Sequence, residues 1–257
     1  MPARLIALLV GFVALSWATW TWADFDTYSA RYSIFRNGKI TGMLDIELKR
    51  EGDRWEISSQ GRGTHGLARI LRASDRENVE GRLVDGRYLP EKHNRHTRVA
   101  GIDNRWDATF DWKSGNVTVV HDGDETYVLP LDGGALDPLT MKLEMRRQLV
   151  EGSDDLHFLM VEEDEIDAQT FRVLDTEWLE TSLGCLKTIP IEKVRNNKRR
   201  YTRAWHASEL GNIEVRLEHG KTGGDHMEMR ITKLTMDDVE VQPRPGCAAM
   251  QAASPGD

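Results

Sequence analysis

Trp106, Ala108, Phe110 and Trp112 occupy alternate positions of one short segment, and the same period-two spacing returns along most of the chain. Side chains that alternate between two faces belong to extended strands, so apolar residues on one face mark a half-buried sheet. The runs are short and separated by residues that favour left-handed backbone. Asn37-Gly38 divides 28–35 from 40–48, and Glu51-Gly52-Asp53 leads into 54–60. Asp85-Gly86 divides 77–84 from 87–89, and Lys113-Ser114-Gly115-Asn116 and Asp122-Gly123-Asp124 flank 117–121. Turns this tight join antiparallel neighbours, whereas a parallel pair needs a long crossover. Further runs follow at 157–161, 170–174, 187–194, 200–205, 212–218 and 226–234, with turns at Asn196-Asn197 and Lys221-Thr222-Gly223-Gly224. The pattern predicts a meander of hairpins.

One segment departs from it. Asp137-Pro138 is a helix start, with Asp as N-cap and Pro in the first turn. Leu139, Leu143 and Val150, with Met145 and Leu149 beside them, form a 3.6-period stripe that Gly152 ends. A shorter helical turn is predicted at 66–71. The expected fold is mainly β: a strongly curved antiparallel sheet or partly open β-barrel with one packed amphipathic helix at about 137–150. No internal repeat or linker interrupts 24–242, which is read as one domain. The tail 243–257, rich in turn and small residues, is expected to be disordered.

Residues 1–23 read as a secretory signal. Arg4 supplies the positive end, 5–15 are apolar, and small residues precede cleavage points after Ala23 or Ala18. Nothing from Leu5 to Ala23 is charged, and Trp17, Trp20 and Trp22 fall where an interfacial belt would lie, so an uncleaved anchor is the alternative. Either reading places the domain outside the cytoplasm, in the periplasm or facing it. The chain carries a formal net charge of -8. A field of that sign repels nucleic acid, which is therefore not an expected partner, and membrane contact is expected only through the leader if it is retained.

The order of several short pieces resembles a bacterial envelope family catalogued as domain of unknown function 3108. These pieces are Tyr32-Ser33-Ile34-Phe35-Arg36-Asn37-Gly38-Lys39 with Gly42, Gly66-Leu67-Ala68-Arg69, and Asp85-Gly86-Arg87-Tyr88-Leu89-Pro90. Downstream come Asp137-Pro138-Leu139-Thr140, Glu177 with Thr181-Ser182-Leu183-Gly184, Arg203-Ala204-Trp205, and Ile213-Glu214-Val215-Arg216-Leu217-Glu218. Glu214 stands where such proteins tend to have proline. The resemblance implies an exported, mostly β domain and supplies no catalytic residues.

The chemistry-bearing clusters are few. His93 and His96 are three apart, so a strand would send them to opposite faces, and surface histidines are the expected reading over a metal pair. His219 and His226 flank a Gly-rich turn and could meet across it. Glu162, Glu163, Asp164, Glu165 and Asp167 lack the glycine and alternate spacing of a calcium loop. Lys193, Arg195, Lys198, Arg199 and Arg200 surround one turn and could meet phosphate head groups, although a solvated turn is the simpler reading. Gly-x-Ser-x-Gly, Ser-x-x-Lys and phosphate-binding glycine motifs are missing from the sequence, and no cofactor is implied. Cys185 and Cys247 could form one bridge or remain separate thiols. Trp106, Phe110, Trp112, Trp178 and Trp205 are expected in the core. In a hollow barrel, Trp106, Phe110, Trp112, Leu139, Leu143 and Trp205 would instead line a ligand cavity. The functional expectation is a non-enzymatic binding or carrier-type module for a lipid or other amphiphile. The alternatives are an envelope interaction factor, with an envelope protein as partner, and a polymer-acting hydrolase using paired carboxylates.

Overall fold

The computed structural model describes residues 27–249. The leader reading at 1–23, with its cleavage points and anchor alternative, and the tail beyond 249 lie outside these residues. The first half of the chain forms β1 (Tyr28–Arg36), β2 (Lys39–Glu51), β3 (Arg54–Gly63), a short helix α1 (Gly66–Ile70), β4 (Ser74–Val84) and β5 (Arg87–Val99). It continues through β6 (Ile102–Asp111), β7 (Asn116–His121) and β8 (Glu125–Pro130) to a long helix α2 (Pro138–Val150). Next come β9 (Asp155–Val161), β10 (Ile166–Val173), β11 (Glu177–Thr181) and β12 (Gly184–Lys193). The last strands are β13 (Arg200–Ala207), β14 (Ile213–Lys221), β15 (His226–Met236) and β16 (Val239–Glu240).

All of these strands join one 16-stranded sheet in the order β8-β7-β6-β5-β4-β3-β2-β1-β15-β14-β13-β12-β10-β9, with β11 on β12 and β16 on β15. Only the β1–β15 pairing brings distant parts of the chain together, and it fixes the two halves side by side. The hairpin signals explain the rest. Asn37 and Gly38 have φ of 50° and 75°, and Asp85 and Gly86 have 50° and 76°, the paired positive values of a type I′ turn.

The sheet curls without closing. Its edges are β8 and β9, and the segment between β8 and α2 bridges toward β9. There Leu136 N–H donates to Leu159 O, and Val161 N–H donates to Leu136 O, each at 2.9 Å. Helix α2 fills the space behind this seam. Asp137 caps it, its Oδ1 accepting from Leu139 N at 2.9 Å and Thr140 N at 3.0 Å. Gly152, at φ 81°, ends it in a Schellman arrangement, with Ser153 N–H donating to Gln148 O at 3.0 Å. The helix is less one-sided than its apolar stripe implies, for two opposite faces are buried. Leu139 and Leu143 join the largest core cluster, with Trp55, Tyr88 and Trp205. Met141, Met145 and Leu149 join another, with Phe158, Phe171 and Ile191. Val150, expected on the stripe, is 46% exposed, because the helix leaves the core at its last residue.

Two further expectations need correction. Trp178 is 56% exposed: on β11 it points to the face opposite Leu179, and Leu179 is the residue that packs against the main core. The tail, expected to be disordered from Pro243 onward, is held as far as Cys247. Arg244 N–H donates to Leu183 O, Cys185 N–H to Pro245 O, and Cys185 and Cys247 form a disulfide with Cα atoms 4.7 Å apart.

Candidate functional site

The six residues expected to line a cavity divide among separate packed clusters. Leu139, Leu143 and Trp205 sit in the largest, and Trp106 and Phe110 in a second with Val117 and Val119. Trp112 packs partly buried against the second and third clusters, its Nε1–H donating to Pro90 O at 2.6 Å. These side chains pack around α2. Surface recesses lie elsewhere: one of about 300 Å³ beside α2 near Arg87 and Gln148, one of about 510 Å³ on the face of β3–β6 near Gln60 and His96, and three that adjoin one another at one mouth of the barrel.

Topology gathers seven connections at that mouth. They are the β1–β2 turn, the β3–α1–β4 connection, the β5–β6, β7–β8 and β9–β10 turns, the β12–β13 connection and the β14–β15 turn. Backbone hydrogen bonds stitch neighbours together: His65 N–H to Thr41 O, Ala100 N–H to Leu71 O, Asn37 N–H to His226 O, and Thr222 N–H to Arg199 O. The basic tip predicted at Lys198, Arg199 and Arg200 is therefore on the same rim as α1.

Beneath α1 lies an apolar groove of about 220 Å³, with Ile34, Ala68, Ala73 and Val99 among its walls and Gly42, Gly61 and Gly63 along its floor. Gly63 is what allows α1 to lie so close, since a Cβ there would stand 2.4 Å from Ala68 O, while Gly42 lets β2 approach β3, a Cβ there standing 2.6 Å from Arg62 O. Gly61 is different, because a Cβ there meets only ordinary contacts at 3.7 Å. Period two places Ile34 on the face of buried Ala30 and Tyr32, and Gly61 on the face of Trp55 and Ile57. The groove is thus the outermost part of the concave face.

A second depression of about 400 Å³ adjoins the groove and shares Ile34 and Thr41 with it. It is lined by Arg36, Arg200, Lys221, His219 and His226, with Asp225 paired to Arg36 at 2.6 Å. His219 and His226 do not converge on a common point. His219 Nδ1 lies 2.8 Å from Thr202 Oγ1, and His226 Nδ1 lies 2.6 Å from the Tyr201 hydroxyl. Burial and the cations Arg195, Arg200 and Lys193 hold the His219 imidazole below its usual pKa. Burial and Arg195 likewise lower Lys193. A positive field is incompletely neutralised here, and an anion would relieve it.

A third cleft, of about 250 Å³, shares Thr97 with the groove and opens beside His93, Trp106, Arg95 and Glu162. His93 was expected at the surface and is instead fully buried. Glu91 is an extra residue on β5 opposite Glu80 and Gly81, and it shifts the β4–β5 register so that His93 faces inward with Tyr88 and Pro90. His96, on the opposite face, pairs with Asp103. His93 Nε2 lies 2.9 Å from Glu77 Oε1, an ion-pair distance whose angle does not make a hydrogen bond. Its ring meets Trp106 edge-on at 4.3 Å. Burial raises the Asp137 carboxyl above its usual pKa, while His93 and the Thr140 hydrogen bonds pull it back. Asp137 already accepts from two backbone N–H groups and from the Thr140 hydroxyl, so it serves as a helix cap. Sequence reasoning did not group Glu77, His93 and Asp137, and only the register shift joins them. Among the described residues no group of three or more His, Cys, Asp or Glu is placed to hold a metal ion.

These features define a class: an open, antiparallel β-barrel-like sheet plugged by one helix, with three adjoining recesses at one mouth. The chain belongs to the family described as protein of unknown function DUF3108, whose model matches residues 27–231. It is similar in fold to the crystal structure of a β-barrel-like protein of domain of unknown function DUF1849 from Brucella abortus. That match has TM-score 0.57 at 12% identity and covers 83% of this chain and 99% of that one. A Bacteroides fragilis protein with a YmcC-like fold aligns at TM-score 0.31 and 10% identity, over 81% of this chain and 95% of its own. No curated protein sequence matches. No helix among the described residues is long and apolar enough to cross a membrane.

Proposed function

We propose that this chain is a non-enzymatic binding or carrier-type module of the cell envelope that holds an anionic amphiphile at the barrel mouth. The reading is carried by one observation: an apolar groove and a basic depression share Ile34 and Thr41 as a common wall. An acyl chain would lie along the glycine floor under α1, and its head group would face Arg36, Arg200 and Lys221. Glycines leave the groove open to apolar groups, and Arg supplies paired donors suited to phosphate or carboxylate. Export rests on the leader reading at 1–23, which also gives the Cys185–Cys247 pair an oxidising compartment.

The test uses protein purified from an envelope fraction without detergent, with native mass spectrometry and lipid extraction. The expected result is an acyl-bearing anion bound to the native protein and lost from Gly61→Phe, whose ring would occupy the groove, while thermal melting shows the variant folded. Native protein that neither carries such a molecule nor takes up a fluorescent fatty acid would overturn the reading.

A further inference from the structure

Among the described residues thirteen large hydrophobic side chains are exposed, and eight belong to the rim of the mouth: Ile40, Leu67, Ile70, Leu71, Val99, Ile102, Val194 and Met227. Leu67 and Ile70 are 72% and 71% exposed on α1, a helix that buries none of its residues, and Ile102 is 64% exposed on the adjoining turn. Scattered exposed hydrophobics are ordinary, but such a concentration on one rim marks a surface that is covered in use.

The charge around these residues says by what. The segment 62–73 carries Arg62, Arg69 and Arg72 and no acid. Arg36 and Lys39 flank the neighbouring turn, and Lys198, Arg199, Arg200 and Lys221 continue the arc, all exposed. This basic arc belongs to a chain whose net charge is -8. On the basic side of the rim the exposed acids are paired, Asp225 with Arg36 and Asp103 with Arg98, whereas Asp122, Asp124 and Glu162 to Glu165 lie on the β7–β8 and β9–β10 turns, toward the open edges of the sheet. The rim is therefore polar around its circumference, basic and apolar on one side and acidic on the other.

From this juxtaposition we infer that the basic arc docks on the surface of an anionic bilayer, with Leu67, Ile70, Leu71 and Ile102 entering the head-group layer and the arginines meeting lipid phosphates. Short apolar projections ringed by Arg and Lys are the chemistry of interfacial binding, and neither part alone holds a protein stably at a membrane. The acidic turns tilt the molecule, since they are repelled from the same surface. Docking in this pose brings the groove under α1 against the bilayer. The inference does not require that the groove be occupied, so it stands or falls separately from the amphiphile reading.

The test is co-sedimentation of the native protein with vesicles of phosphatidylcholine, with and without phosphatidylglycerol. Binding is expected only to the phosphatidylglycerol vesicles and should weaken as salt is raised. Arg69→Gln with Arg72→Gln should weaken it on the order of tenfold. Leu67→Ser with Ile70→Ser should do the same without altering the melting temperature, since both side chains are exposed. A protein that ignores both vesicle types, binds both equally, or binds through a surface these four substitutions leave unaffected would overturn the inference. Loss of vesicle binding with an amphiphile still bound would sink docking alone, and the reverse result would sink the carrier reading alone.

Discussion

Glu228 and His206 show how single buried ionisable groups couple this fold to pH. Burial pushes the Glu228 carboxyl up, but hydrogen bonds from Arg230 and the charges of Arg216 and Arg230 outweigh it and leave the carboxyl below its usual pKa. Arg216 Nε lies 2.8 Å away and an Arg230 guanidinium nitrogen 2.6 Å. A depressed carboxyl contributes stability that is present at neutral pH and lost as pH falls through its folded pKa. His206 is fully buried, its Nδ1 3.0 Å from Asn212 O, and burial lowers its pKa. Below about pH 6.5 the unfolded chain takes up a proton that the folded one refuses, so stability falls there as well. The raised Asp137 has the opposite sign, and its folded form gains in relative stability as pH drops toward the usual carboxyl range. Urea midpoints should therefore decline between pH 7 and pH 5, and His206→Asn should flatten that decline. A native midpoint that is level or rises over this interval would contradict the assignment of His206 as buried and neutral.

At the scale of elements, the helix and hairpins were legible because their signals are local. Asp137-Pro138 and Gly152 mark the ends of α2, and Asn-Gly and Asp-Gly mark turns whose positive φ values the structure bears out. What stayed hidden depends on pairing. The extra residues on β2, β5, β14 and β15 reset which residues face inward, and the one at Glu91 turns His93 to the interior. Strand β11 was missed because its pattern has no buried position, and Trp178 was placed in the core although Leu179, on the opposite face, is the residue that packs there. Helix α2 was read as covering one surface, yet Met141 and Met145 bury a second face. The mouth was the least legible feature: the basic tip was visible in sequence, but its position beside α1 needs the strand order. Since α2 takes the place of an internal ligand, truncating it should be expensive. Leu143→Ala is expected to cost about 3 kcal/mol, measured by chemical denaturation. A loss no larger than that of a surface substitution would mean that the interior is looser than the clusters imply.

Across the whole molecule, closure between distant segments rests on the β1–β15 ladder and on the Cys185–Cys247 bridge. The bridge spans 62 residues of sequence. A loop of that length restricts the unfolded chain enough to be worth about 4 kcal/mol by chain entropy. Cys247→Ser should lower stability by that order and free the strap at Arg244 and Pro245, readable as faster hydrogen exchange at the Cys185 and Arg244 amides. Equal stability with and without reductant would show that the strap contributes nothing to the fold.

Strand β1 starts beside Asp237, where Thr27 N–H meets the Asp237 carboxylate at 2.9 Å, and finishes at Arg36 on the basic arc. Nine extended residues cover about 30 Å. Cys185, at the start of β12, fastens the C-terminal strap to the same remote pole as Thr27. Chain that precedes Thr27 thus departs from the pole opposite Leu67 and Ile70. If residues 1–23 act as the leader read from the sequence, a version tethered through them would hold Leu67 and Ile70 away from the anchoring membrane, whereas a released version could turn freely, so retention or removal of such a leader would decide which surfaces the protein can reach.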